Sequence, residues 1–535
     1  MWRVWFLGGL TALAGATGCG KWADDLACGD QGCGFTKDEW ALVQSLANVT
    51  KTPPRPDPSN AYLPIADWRT RALAPGADQD LDGTLVAPDS WAAVPEVNLG
   101  WRLYHEPALS GSLSNVDTLG LPAASSRPTT CGQINVSCAS CHDPLTFGSD
   151  FTSVPNTVSI GAGWYDVNTQ QTLNAARYPI LYWNGRADTL WAQAAQVMES
   201  GVSMNGYRMK SFWVVLSAAY WADYAAIFPD APAVQELASR LTAPAADALI
   251  SVYKTQYTDL SSDADRQTVD RVHVNVAKAI AAYEWVLSSD GSPFDRYASG
   301  APGAAAAFSP AAERGLKLFI GKASCIDCHN TPLFSDGKFH DIGIPQAGDH
   351  VPTVAACTLP ATAAKAKCDC VADDGRGKNC LPIGAYAGLE KLAGQEFRRY
   401  KVSDGQIFDD NFAANPDATP PAAPALDPRW VGAWRTPSLR DVAMTAPYMH
   451  DGAFATLADV VWHYDQGGGE GNTIGTSELA PLLLTAQDRE DLVAFLQTLT
   501  GVAGPPELIA PPPPSTLLGG PTVCSPPAPA AEVAP

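Results

Sequence analysis

Apolar residues along this chain recur at helical rather than strand spacing. Val276, Ile280, Tyr283 and Leu287 fall at i, i+4, i+7 and i+11, which places them on one face of a helix. Asp290-Gly-Ser-Pro293 then supplies the stop. Strand-type alternation is scarce, and Ala-rich amphipathic segments joined by Gly/Pro loops dominate, so the pattern predicts a mainly α protein with long loops and little β. A weak repeat divides the chain. Leu99-Gly-Trp-Arg-Leu-Tyr-His105 precedes a cysteine pair at 138 and 141, and Arg314-Gly-Leu-Lys-Leu-Phe319 precedes another at 325 and 328. Two similar units in tandem are expected, 86–300 and 301–503, with the boundary near the Ala-Pro-Gly sequence of 298–308.

The flanks read differently. Residues 1–18 run from Arg3 through the apolar stretch Val4 to Ala14 and on to small residues, an export signal too short for a membrane span. Ala16-Thr17-Gly18-Cys19 resembles a bacterial lipoprotein signal, with Ala16 where a larger aliphatic residue is usual, so lipidation at Cys19 is expected and plain export is the alternative. Residues 19–85, with Lys51-Thr-Pro-Pro-Arg-Pro-Asp-Pro58, read as a tether carrying a candidate loop closed by Cys28 and Cys33. Residues 504–535, with Pro511 to Pro514, read as an extended or disordered tail.

Composition narrows the function. The 535 residues are 46% hydrophobic and 17% charged, enough apolar content to bury a sizeable core. A formal charge of -21 argues against nucleic acid or anionic lipid as the main partner. Thirteen cysteines are many for a chain of this size, and the odd count means that at least one is not in a disulfide.

Cys-x-x-Cys-His occurs at 138–142 and again at 325–329. At these residue frequencies roughly 0.005 such motifs are expected per chain, so two by accident is on the order of 10⁻⁵. A zinc site would need a second ligand pair at finger spacing, and a thioredoxin-type dithiol would need a βαβ setting; neither is present. The remaining reading is covalent c-type haem, with Cys138, Cys141, Cys325 and Cys328 as thioether positions and His142 and His329 as iron ligands.

Further motifs follow in order: Leu109-Ser110, Tyr182-Trp-Asn-Gly-Arg-Ala187, Ser292-Pro-Phe-Asp-Arg-Tyr297, Phe339-His-Asp-Ile-Gly343, Arg435-Thr-Pro-Ser-Leu-Arg440 and Thr445-Ala-Pro-Tyr-Met-His-Asp-Gly452. Together with the two cysteine motifs they resemble the bacterial di-haem cytochrome c peroxidases and their MauG-like relatives over roughly residues 90 to 500. The resemblance implies two cytochrome c-type domains. Hydrogen peroxide would be reduced at an N-terminal haem held by His142. A small redox protein, such as a cytochrome c or a cupredoxin, would deliver electrons to a C-terminal haem held by His329.

Other roles carry over residue by residue. Trp183 matches the tryptophan between the haems, where it could relay charge, although a packed core Trp is the common fate of the 16 tryptophans here. The position after Phe454-Ala-Thr-Leu457 that holds a Met ligand in the peroxidases is Tyr464, as in MauG-like proteins; Met449, His450 and His463 compete for that role, and a buried core tyrosine is the plain alternative. Ser159-Ile-Gly-Ala-Gly-Trp164 puts Ala162 where reductively activated peroxidases have a distal His, which implies a five-coordinate, open iron unless a water or a distant side chain fills it. The family's catalytic Glu is replaced by Ser203; Glu199 would share its face if 196–204 were helical, or else be an ordinary solvated carboxylate. Asn168, Thr445 and Pro447 match an inter-domain calcium site. Family dimers make a homodimer a candidate.

An insertion at 349–430 has no counterpart of this length, and its Cys357, Cys368, Cys370 and Cys380 are expected to form two disulfides in an exported protein. With Cys19 lipidated and four cysteines on haem, eight of the thirteen remain, an even number. Two readings besides the peroxidase stay open: a MauG-like or oxygenase-like oxidation of a protein or organic substrate, and a non-catalytic electron carrier.

Overall fold

The computed structural model describes residues 34–48, 90–111, 136–344 (apart from 151, 152, 154, 156, 157, 164, 166, 179, 188, 246 and 247), 432–469, 477–515 and 517, and the backbone of four short strands between 354 and 409. The export signal, Cys19, Cys28, Cys33 and the side chains of the 349–430 cysteines lie outside these residues.

The described chain is mainly helical. A helix α1 (Lys37–Ser45) opens it, started by a capping box in which Thr36 and Glu39 satisfy each other's backbone N–H groups. The helices that build the first half are α2 (Pro95–Tyr104), α3 (Leu190–Glu199), α4 (Arg208–Val215) and the 24-residue α5 (Asp263–Val286). The second half is built on α6 (Pro310–Ile320), α7 (Leu457–Asp465) and α8 (Ala486–Gln497), and a one-turn helix α9 (Pro506–Ile509) follows. Ser or Thr hydroxyls cap α3, α5, α6, α7 and α8, and Pro95, Pro310 and Pro506 sit at helix starts, where a missing N–H costs nothing.

Among the described residues the strands form four antiparallel pairs. β1 (Ser288–Asp290) pairs with β8 (Val502–Gly504), and β2 (Phe339–His340) with β7 (Trp434–Arg435). Inside the insertion β3 (Val354–Thr358) pairs with β4 (Lys367–Cys370), with Cys357 opposite Cys368 in register, and β5 (Arg399–Lys401) with β6 (Ile407–Asp409).

Two hydrophobic clusters divide the molecule. One runs from Val97 to Leu287 and adds Leu508; the other joins Phe35, Val43 and Leu46 to residues between Phe294 and Leu499. The switch falls between Leu287 and Phe294, ahead of the Ala-Pro-Gly sequence. In each cluster a helix crosses another at a glycine. A Cβ on Gly100 of α2 would stand 1.8 Å from the Ala279 carbonyl oxygen of α5, and one on Gly315 of α6 would stand 1.9 Å from that of Asp491 in α8. These two glycines occupy the same place in the sequence repeat.

Three expectations need correction. α5 is buried on every side between Val272 and Glu284, not only along its predicted apolar face, because α2, α3 and α4 all pack on it. The supposed tether contains α1, whose Val43 and neighbouring Phe35 and Leu46 are fully buried in the second cluster, with Arg440 donating to the Leu46 carbonyl at 2.9 Å. The start of the supposed tail is ordered: β8 and α9 return to the first cluster, where Leu508 is fully buried and its carbonyl accepts from Tyr283 Oη at 2.9 Å. Proline at the first helical position suits a short helix, which a count of prolines does not register.

No helix among the described residues is long and apolar enough to cross a membrane.

Candidate functional site

The two Cys-x-x-Cys-His segments fold alike. Cys138–Ser140 and Cys325–Asp327 form single 3-10 turns, and the His142 and His329 backbone N–H groups donate to the Cys138 and Cys325 carbonyls at 2.9 and 3.0 Å. The first turn brings Cys138, Cys141 and His142 to the wall of one cavity. All four cysteines are free thiols, half-buried. His142 Nδ1 lies 3.3 Å from the Gly148 carbonyl and His329 Nδ1 lies 2.6 Å from that of Phe334. A carbonyl can only accept, so each Nδ1 carries the proton and each Nε2 keeps its lone pair for a metal. Burial pulls both imidazoles below their ordinary value, which favours that neutral form.

A cavity of about 130 Å³ that opens to solvent adjoins the first turn. Its walls include Cys138, Cys141, His142, Trp183, Gln193 and Ser203. Arg435 also lines it, stacked 3.6 Å from the Tyr178 ring centroid, and its Nη1 is buried with no hydrogen-bond partner. A free thiol pair, a lone-pair nitrogen and an unpartnered guanidinium nitrogen around one open cavity suit a c-type haem with its anionic propionates.

Ala162 is 1% exposed. Its N–H donates to the Ser203 carbonyl at 2.6 Å and the Gly163 N–H to that of Val202 at 2.9 Å, so the 161–163 loop is laced to the segment that carries Ser203. Among the described lining residues His142 is the only histidine; Met204 adds a thioether.

Ser203 lines the cavity, its hydroxyl 3.1 Å from that of Ser200. Glu199 does not share its face. α3 ends at Glu199 because Ser200 is extended, and Arg208 donates to both carboxylate oxygens of Glu199 at 2.8 Å while its Nη1 reaches Asp270 at 2.9 Å. The helical continuation that would align Glu199 with Ser203 is absent, and Glu199 is neither a cavity wall nor a solvated carboxylate.

Trp183 sits at a seam. Its Nε1 donates to the Asn168 carbonyl at 2.9 Å, and its carbonyl accepts from Arg435 N at 2.8 Å. Its ring meets His450 edge-on at 6.5 Å, and His450 stacks on Trp434 at 3.9 Å. At the same seam Asn168 Nδ2 donates to the Pro447 carbonyl at 2.9 Å, while Asn168 Oδ1 accepts from Ser159 Oγ and from Thr169 N. Thr445 is close by in sequence, its hydroxyl bonded to the Val442 carbonyl.

Around the second turn, burial first and then the Cys325 and Cys328 thiols push the Tyr464 phenol up. His463 Nε2 instead meets the Ile342 carbonyl at 2.8 Å, and Met449 has a left-handed backbone, φ 74°.

The profile of the di-haem cytochrome c peroxidase family matches residues 95–302. A cytochrome-c peroxidase, IdrP1, of Pseudomonas sp. strain SCT is 30% identical over 371 residues, 69% of this chain and 76% of that one. The methylamine utilization protein MauG of Methylorubrum extorquens is 30% identical over 413 residues, 77% of this chain and 80% of that one. The chain belongs to the di-haem cytochrome c peroxidase and MauG family. The solved structure of the diheme peroxidase BthA from Burkholderia thailandensis is 20% identical, covering 79% of this chain and 89% of that one with a TM-score of 0.47.

Membership makes this di-haem peroxidase relative an oxidoreductase enzyme, so the non-catalytic reading loses its ground. The family's two c-type haems match its two cysteine motifs. At family level peroxide is the substrate and a redox protein the donor. Of the polar cavity residues, Gln193 and Glu284 escaped the sequence reading, and Arg435 entered it only as the start of the Arg435–Arg440 motif. Glu284 alone left a trace, a single carboxylate in the otherwise apolar end of the longest helix.

Proposed function

We propose that this enzyme reduces hydrogen peroxide to water at the His142 cavity and takes electrons on the His329 side from a small redox protein such as a cytochrome c or cupredoxin. The observation that carries the reading is a pair of matching Cys-x-x-Cys-His turns, one of them opening on a cavity whose described walls hold no second histidine. When bound, the haems supply electron storage and the iron chemistry of peroxide reduction. Cys138 and Cys141 would hold one and Cys325 and Cys328 the other, with His142 and His329, each fixed by a carbonyl at Nδ1, as the iron ligands. Arg435 Nη1 would neutralise a propionate, and Trp183 bridges the two halves through its bond to Asn168 and its edge contact with His450. Ser203 holds water at the cavity wall, since a hydroxyl is too weak a base to act alone.

On the His329 side Tyr464 would hold the haem iron together with His329. The Cys325 and Cys328 thiols acting on the Tyr464 phenol favour it, as does the engagement of its competitors: His463 bonds Ile342 and His450 is stacked on Trp434. A phenolate favours ferric iron and lowers the potential relative to Met. A calcium ion fits the Asn168–Pro447–Thr445 seam if the Asn168 amide turns its oxygen toward the Pro447 carbonyl; chelator should then lower the unfolding temperature and calcium restore it. Export with lipidation at Cys19 would place the enzyme in the periplasm at a membrane, and mass spectrometry of the mature N-terminus checks that.

A MauG-like oxidation of a protein or organic substrate is the second reading, favoured by Ala162, Ser203 and Tyr464, which all leave the ordinary peroxidase pattern. One experiment addresses both. The electron spin spectrum of the oxidised holoprotein should contain a high-spin ferric signal, together with a low-spin signal lost in Tyr464→Phe. Low-spin species alone would mean a filled site, with Met204 the nearest candidate. Reduced cytochrome c and peroxide should then turn over, and His142→Ala should abolish it; failure to turn over with an open site favours the second reading.

A further inference from the structure

Reduction of peroxide consumes protons, and the two residues that sequence reasoning assigned to moving them do not suffice. Ser203 is a hydroxyl, and Glu199 is held by Arg208 away from the cavity. α5 brings another acid to the same space. Glu284 is 5% exposed and lines the cavity with His142, Trp183, Gln193 and Ser203. Its Oε2 is buried without a hydrogen-bond partner, and no Lys, Arg or His forms an ion pair with it among the described residues. The titratable groups that face it are Tyr104 of α2, Cys138, Tyr182 and its own neighbour Tyr283, all neutral at pH 7. Arg435, on the cavity wall, makes no ion pair with it. Burial without a counter-charge pushes the Glu284 carboxyl up to about 8. It therefore holds its proton at neutral pH.

We propose that Glu284 is the proton carrier of the His142 cavity, releasing its carboxyl proton through cavity water to the peroxide oxygens and taking another from solvent. This rests on the reading of that cavity as the peroxide site. Each peroxide takes up two electrons from the donor and two protons as its O–O bond breaks to give two waters. Glu284 supplies one proton as its own O–H bond breaks, and solvent supplies the second. The carboxylate left behind is buried and unpaired, a costly state that drives its reprotonation. The arrangement explains how a member of this family can have Ser203 in place of the usual acid. Here the proton source lies at the end of α5 rather than on the segment that carries Ser203.

The test uses the full-length holoprotein. At pH 7 its infrared spectrum should contain a deuterium-sensitive carbonyl stretch of a protonated carboxyl, absent from Glu284→Gln and fading in the wild type as pH rises through about 8. Peroxide turnover should fall by about a hundredfold or more in Glu284→Gln, the low end for loss of a general acid. Glu284→Asp should recover part of it, and cyanide affinity should stay unchanged in both. The alkaline fall in wild-type turnover should follow the same titration and vanish in the Gln variant. A Gln variant within about threefold of wild type, or a wild type lacking the band, overturns the proposal. Absence of any peroxide turnover in the wild type overturns the peroxidase reading and the carrier role with it; presence of the band then tells that failure from a misassigned carboxyl.

Discussion

Both carboxylate oxygens of Glu199 face Arg208, a side chain 1% exposed that also reaches Asp270. A buried guanidinium with two anionic partners is a structural joint between α3, α4 and α5. Glu199→Ala removes one partner and should cost about 2–3 kcal/mol of folding stability, near the lower end for breaking a buried pair because Asp270 remains. Chemical denaturation measures that loss. Turnover per folded molecule should be unchanged; a collapse of turnover at full stability would return Glu199 to the role of acid. The residue pattern alone could not decide this. Glu199 and Ser203 have helical spacing, but Ser200 leaves the helix, and Arg208 is brought back by a turn that spacing does not reveal. Glu284 was hidden for the opposite reason: its companions Cys138, Tyr182 and Ser203 lie 80 or more residues away in the chain, so only folding shows that they share a cavity.

The repeat that was legible in the sequence has a physical cause at the level of helix pairs. α2 and α6 each end beside their own Cys-x-x-Cys-His turn: Tyr104 Oη donates to the His142 carbonyl at 2.7 Å, and the Phe319 ring lies 6.4 Å from that of His329. Four residues before each aromatic, Gly100 or Gly315 lets α5 or α8 pass at backbone contact. Alanine inside a helix is ordinarily favoured over glycine by about 1 kcal/mol. Here the added methyl would overlap a carbonyl oxygen of a neighbouring helix, so Gly100→Ala and Gly315→Ala should each destabilise, by roughly 1–3 kcal/mol or more. Thermal unfolding gives the sign, and a stabilised variant would mean that the helices can separate without loss. The similarity of the two segments could be read directly, but not the reason for it, because Ala279 and Asp491 are remote in sequence. α1 and α9 were missed because short helices in Pro-rich surroundings owe their existence to tertiary partners, Arg440 for the one and the Tyr283 face for the other.

Across the whole molecule the chain closes on itself. β8 pairs with β1, Trp101 Nε1 donates to the Ala510 carbonyl at 3.0 Å, and Asp441 accepts from Gln171 and Ser289, so the two clusters are tied at several points. The full chain carries a formal charge of -21. Its two Cys-x-x-Cys-His turns differ in what they show to a partner: the first has the uncharged Ala139 and Ser140 between its cysteines, while the second has the exposed Asp327. A donor that approaches the His329 side therefore meets a negative charge within the turn itself, on an acidic background. Complementary charge acts mainly on encounter rate and is screened beyond about 8 Å at physiological ionic strength. With a basic cytochrome as donor, kcat/KM should fall steeply as salt is raised, whereas a small uncharged reductant should show little salt dependence. Asp327→Lys should lower kcat/KM for the basic cytochrome by roughly tenfold at low salt and much less at high salt, while the rate at saturating donor stays the same. Stopped-flow reduction of the holoprotein across a salt series measures this. A salt-independent rate, or an Asp327→Lys variant that behaves as wild type, would move the donor's landing site away from the His329 turn.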